Sequence, residues 1–171
     1  MVTAFDTVYN ISYFPNITEF YKLKPQTREE LTFYRKTSKK WALAVGKYDH
    51  IHLTQSGVFD TKIKFSYLNV RGMRGVRYFV ELNWVIRVVG GCRGVGKNID
   101  WQWIQANDCS KAFLLIDKRK EDIVLAKMNG LTLDNNSNGS LYILPSLPKE
   151  YLLTVATSAC LVLRLMDQRS S

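Results

Sequence analysis

The chain is poor in the side chains that most catalysis and metal binding rely on. Its 171 residues include 2 His and 3 Cys. Cys92, Cys109 and Cys160 are an odd set without metal-type spacing, and they read as free thiols of a reducing compartment. Cys160 lies in an apolar run and reads as core. His50 and His52 fall on one side of an expected strand with no acidic or sulfur partner at a recognisable spacing, so they read as solvent-facing. No G-x-S-x-G, H-E-x-x-H or Cys–His arrangement is present, and no cofactor, metal or enzymatic activity is expected. No apolar run approaches the length of a membrane span. The N-terminus lacks a cationic segment followed by an apolar core, so secretion by a signal peptide is not expected. The sequons starting at Asn10, Asn16, Asn135 and Asn138 are accordingly read as chance matches.

What is present is basic charge, unevenly placed. Residues 1–97 hold 16 Lys and Arg against 7 Asp and Glu, whereas residues 98–171 hold 8 of each. The whole net charge of +9 therefore sits in the first part. Such asymmetry points to a polyanionic partner: nucleic acid, a nucleoprotein or an anionic membrane surface.

Hydrophobic content of 46% against 23% charged fits one globular domain with a real core. Alternation is the main structural signal. Val76, Tyr78, Val80, Leu82, Trp84, Ile86 and Val88 recur in steps of two, which predicts one long strand with an apolar face. Ile63, Phe65 and Tyr67 alternate with Lys62, Lys64 and Ser66 just before it. With the linker Gly72-Met73-Arg74-Gly75 between them, a long β-hairpin with a cationic tip is expected.

Residues 1–21 read as an aromatic N-terminal arm, and residues 22–171 as a single β-rich domain. The arm contains Phe5, Tyr9, Tyr13 and Phe14 and holds no Lys or Arg. Its sequence fits packing on its own body or reaching onto a neighbour, and those four residues are the candidates for self-assembly. Thr27-Arg28-Glu29-Glu30 matches a capping box and predicts one short helix near residues 28–36. Trp41 to Leu53 reads as a strand interrupted at Gly46. Asp100 to Ile104 reads as a short strand or helical turn. Ala112 to Asp117 and Ile123 to Met128 read as strands about the charged turn Lys118 to Asp122. Leu153, Val155, Thr157, Ala159, Leu161, Leu163 and Leu165 alternate near the C-terminus and predict a long buried strand.

Gly91 through Lys97 matches the core of a P-loop, and Phe113 to Asp117 imitates a Walker B strand. Asn98 stands where a magnesium-binding Ser or Thr should follow, and the preceding strand alternates rather than being apolar throughout. Nucleotide hydrolysis is therefore not expected.

About seven to nine short strands, one helix and Gly/Asn-rich turns give a mainly β class: a single-domain antiparallel β-sandwich or jelly-roll-like fold. Ile63 to Gly72 followed by Val76 to Val80 resembles the first core strand, basic turn and second strand of small jelly-roll coat proteins of satellite and small circular-DNA viruses. Leu153 to Leu165 is similar to their last strand. Val70-Arg71, Arg74 and Arg77, with Leu153 to Asp167, also resemble short basic matrix proteins of plant rhabdoviruses. The chain departs from the coat pattern in lacking an arginine-rich arm. Both resemblances imply a non-enzymatic viral structural protein, acting in the virion and in host cytoplasm or nucleus, that self-assembles and turns a basic face to the genome or nucleoprotein. The candidate polyanion contacts are Arg71, Arg74, Arg77, Arg93 and Lys97, with Lys36, Lys39 and Lys40 secondary. The alternative is a monomeric β-barrel module for a small apolar ligand, with Trp84, Trp101 and Trp103 lining its cavity. A third option is a suppressor-like protein that binds nucleic acid without assembling.

Overall fold

Among the described residues, every strand hydrogen-bonds on both sides. A computed structural model describes residues 7–14, 20–25, 29–56, 61–68, 76–82, 85–91, 98–106, 112–129, 139–144 and 147–170. Twelve strands run in chain order: β1 (Thr7–Phe14), β2 (Phe20–Pro25), β3 (Leu31–Thr37), β4 (Lys40–Val45), β5 (Tyr48–Ser56) and β6 (Thr61–Tyr67). They continue as β7 (Val76–Leu82), β8 (Val85–Gly91), β9 (Ile99–Gln105), β10 (Phe113–Asp117), β11 (Ile123–Asn129) and β12 (Gly139–Ile143). Each pairs antiparallel with its sequence neighbours, and β1 pairs with β12, with Tyr9 opposite Leu141, to close the wall. Closure removes both sheet edges, which a sandwich or jelly roll would retain. The mainly β class thus holds, but the architecture is an up-and-down barrel.

The lumen is filled by α1 (Lys149–Ser170), a helix of 22 residues. From Leu152 to Leu163 every one of its residues is buried, which is possible only if wall surrounds the helix on all sides. Inward-facing Tyr9, Leu23, Phe33, Trp41, Phe65, Phe79, Trp101 and Leu115 form one core with Val155, Ala159 and Val162 of α1. The chain's own helix runs through the lumen and leaves a cavity of about 50 Å³ between Leu161, Arg164 and Leu165 of α1 and the wall residues Trp41, Ile63 and Phe79. Trp101 meets Tyr151 edge-on at 5.5 Å, and Trp103 hydrogen-bonds Ser158, so both are packing residues; Trp84 lies outside the described residues.

Three expectations are corrected. Residues 153–165 form a helix rather than a strand. The intervening Leu152, Thr154, Ala156, Ser158, Cys160 and Val162 are also small or apolar, so the alternation marked no distinct face. Pro148 starts the helix, its carbonyl accepting the Leu152 N–H at 3.0 Å. Thr157 and Ser158 bond back to the carbonyls of Leu153 and Val155, which settles two hydroxyls in an apolar lumen.

Of residues 28–36, expected as a helix, Arg28 lies outside the described residues and the rest are not helical: Leu31–Thr37 is β3. Leu31 and Phe33 face the core while Thr32 and Tyr34 face out, and β-branched and aromatic content overrides the cap-like start. The third correction concerns the single strand expected over residues 76–88, where Val76–Leu82 is β7 and Val85–Gly91 is β8. Leu82 pairs with Val85, and this register reverses the inward parity. On β7 it is Arg77 and Phe79 that point inward; on β8 it is Ile86 and Val88.

Several expected features hold. Strands β6 and β7 pair antiparallel, though the linker between them lies outside the described residues. Gly46 forms the β4–β5 turn at φ +59°, a left-handed conformation that suits glycine. Residues 99–105 are strand, and β10 and β11 flank the charged turn. Strand β10 pairs antiparallel with β9, which is incompatible with a Walker arrangement of parallel strands. Of residues 1–21, read as an arm outside the domain, residues 7–14 instead form β1 within the barrel wall, with Tyr9 and Ile11 facing the lumen.

Candidate polyanion-binding face

The outer surface of β3 to β6 concentrates the charge asymmetry of the sequence. Between Leu31 and Tyr67 the chain carries Arg35, Lys36, Lys39, Lys40, Lys47, Lys62 and Lys64 against Asp49 and Asp60. Alternation decides which of them point outward. On β6, Ile63 and Phe65 are buried, so Lys62 and Lys64 between them are exposed. Register then aligns the cations across strands: Lys40 lies opposite Thr54, Thr54 opposite Lys64, and Lys64 opposite Tyr78. At about 4.8 Å per strand, Lys40 and Lys64 sit roughly 10 Å apart along the wall. Lys39, in the β3–β4 turn, is exposed next to Lys40 in the chain, its carbonyl accepting the Gln55 N–H at 2.9 Å. The Lys62 ammonium sits 4.5 Å from the centre of the Tyr78 ring, a cation–π contact that leaves the head at the surface.

A buttress lies one row in. The Asp49 carboxylate accepts from the Tyr34 hydroxyl at 2.7 Å and from the Lys36 ammonium at 2.8 Å, and His52 Nε2 is 3.1 Å away. This cluster exists because of a bulge. The register shifts between Leu43 and Ala44, so Leu43 faces Ile51 while Ala44 faces Asp49, and His50 becomes the extra residue. The bulge re-aims Asp49 to the outer face beside His52. Partial burial by itself would push the Asp49 carboxyl up. Hydrogen bonds from Lys36, Tyr34 and His52, and the Lys36 charge, outweigh it and hold the carboxyl below its usual value. The hydrogen bond to Asp49 in turn raises Lys36. Desolvation, followed by the same carboxylate, raises the Tyr34 phenol. Lys36 is therefore a partly neutralised member of the face.

The expected contacts fall into different places. Lys39 and Lys40 are exposed on this face, and Lys36 stands beside them in its ion pair. Arg71, Arg74, Arg93 and Lys97 lie outside the described residues. Arg77 is inside the lumen at 1% exposure, because the β7–β8 turn sets its parity inward. Lys62 and Lys64 were visible in the sequence only as the polar partners of an alternating strand, and register is what joins them to Lys40. Of the residues considered for self-assembly, Phe5 lies outside the described residues. Tyr9 is 1% exposed, Tyr13 is half-buried and stacked on Tyr21 at 4.9 Å, and Phe14 is on the outside.

Among the described residues no three His, Cys, Asp or Glu side chains converge as a metal site. Nor is any helix long and apolar enough to cross a membrane. Comparison of the chain with family models, with curated proteins and with solved structures finds no match.

Proposed function

We propose that this chain is a non-enzymatic protein of the viral structural class whose barrel presents a lysine-rich wall to nucleic acid or nucleoprotein. The observation that carries the polyanion contact is the outward row of Lys40 and Lys64, with exposed Lys39 and Lys62 beside it, on a closed sheet. Ammonium groups on a fixed wall position a phosphate backbone without reading its bases. The resemblance to coat and matrix proteins supplies the class. The jelly roll was the part of the coat resemblance that implied a closed shell. With a barrel in its place, the proposal keeps the genome or nucleoprotein contact and self-association, and omits a shell geometry.

The test is fluorescence anisotropy with a labelled single-stranded 30-mer over a salt series. The variant is Lys39→Gln/Lys40→Gln/Lys62→Gln/Lys64→Gln. Each lost phosphate contact lowers the salt slope by about 0.7, so the variant should bind weakly with a slope smaller by roughly 3. Unchanged affinity and slope would overturn the assignment of this face. Light scattering on the wild type tests self-association: a monomer at both low and high salt would remove the coat or matrix part of the proposal.

A further inference from the structure

The least expected group in the lumen is Arg77, the charged residue among the largest fully buried side chains. It is the second residue of β7 and lies opposite Gly90, the next-to-last residue of β8. Both are at the barrel mouth through which α1 enters. Gly90 shares the inward parity of Ile86 and Val88, carries no side chain there, and adopts φ +140°, where a larger residue would be strained.

One face of the guanidinium is covered: its central carbon is 5.0 Å from the Tyr151 ring centre, in the first turn of α1. Trp101 holds that ring edge-on, and one turn along, Thr154 hydrogen-bonds the Tyr67 hydroxyl at 2.6 Å. A ring face satisfies none of the in-plane N–H groups. Among the described residues, Nε and Nη1 of Arg77 are buried without a hydrogen-bond partner. They stand beside the positive end of the helix dipole. Among the described residues, the inward carboxylate at this mouth is that of Asp117, three strands along the wall on β10, and its Oδ1 accepts the Arg119 N–H. A buried, unpaired cation next to a helix N-terminus is a strongly unfavourable arrangement, and an oxyanion relieves both charges at once.

We propose that Arg77 and the first turn of α1 form a binding site for one small oxyanion of the phosphate class, separate from the lysine face. The guanidinium supplies fixed N–H donors suited to paired phosphate oxygens.

The probe is inorganic phosphate, added to the full chain at constant ionic strength with chloride as the control, and read by thermal melting and titration calorimetry. Wild type should show saturable stabilisation by phosphate beyond that of chloride, with one site per chain. Arg77→Met should weaken binding at least tenfold. The four-lysine variant above should keep it, so failure here and failure of the outer face are distinguishable. Should Arg77→Met not fold, the ¹⁵N–¹H signal of Arg77 Nε in wild type gives the answer: it should shift on adding phosphate. No phosphate-specific stabilisation, an unmoved Arg77 signal, equal binding by Arg77→Met, or an equal response to acetate would each overturn the proposal.

Discussion

Replacing Ser158 by alanine separates the buried helix from every alternative placement by the sign of a single measurement. On a solvent-facing helix the change is mildly favourable, because alanine has the higher helix propensity by up to about 0.5 kcal/mol. Inside the barrel the accounting differs. Ser158 is fully buried, its hydroxyl accepts the Trp103 indole N–H at 3.0 Å, and it donates to the Val155 carbonyl at 3.0 Å. Alanine removes the acceptor and leaves a buried indole N–H without a partner, a cost of about 1–3 kcal/mol. Subtracting the propensity gain leaves roughly 0.5–2.5 kcal/mol of destabilisation. For a chain of this length that lowers Tm by about 2–4 °C per kcal/mol. Urea unfolding followed by far-ultraviolet circular dichroism reads the change without relying on tryptophan emission. The double-mutant cycle sharpens the result. In a Trp103→Phe background no donor is left to orphan, so Ser158→Ala should cost about 1 kcal/mol less than it does in wild type. A neutral or stabilising Ser158→Ala, with no coupling to Trp103, would refute the placement of α1 in the lumen.

The Asp49 cluster makes stability depend on pH in two windows. The Asp49 carboxyl is depressed in the folded chain, so its contribution is complete above the unfolded carboxylate pKa of about 4 and is lost as pH falls through the lower folded value. Lys36 and Tyr34 are raised, so their contributions are present below about pH 10 and are lost as pH rises through their folded values. The difference in urea midpoint between wild type and Asp49→Asn should therefore be constant near neutrality and shrink below about pH 4; a difference that persists undiminished to pH 2 would refute this account. Cys160 is fully buried, and burial pushes its thiol far above the usual range. In a Cys92→Ser/Cys109→Ser background, a thiol reagent should find no reactive group in the native protein and one after unfolding. Rapid native labelling would show that the lumen opens.

The sequence alone determined the mainly β class, the apolar sides of β6 and β8, the break at Gly46, the β10–β11 hairpin and the charge asymmetry of the first half. These follow from nearest-neighbour patterning, which a linear chain displays directly. Only the tertiary structure decided the rest. Leu153 to Leu165 alternates like a strand, yet becomes a helix because a closed wall can bury a segment that is small or apolar on all sides. Thr27 to Glu30 looks like a cap, yet the chain enters β3 because Leu31 and Phe33 gain burial against the lumen. The hairpin between Leu82 and Val85 reverses which residues face inward, and this takes Arg77 from an expected surface contact to a buried cation beside α1. The lysine face depends on register between β4, β5 and β6, and its Asp49 buttress on a bulge at His50. Register and bulges are properties of paired strands, fixed when the barrel closes, and no single strand's sequence carries them.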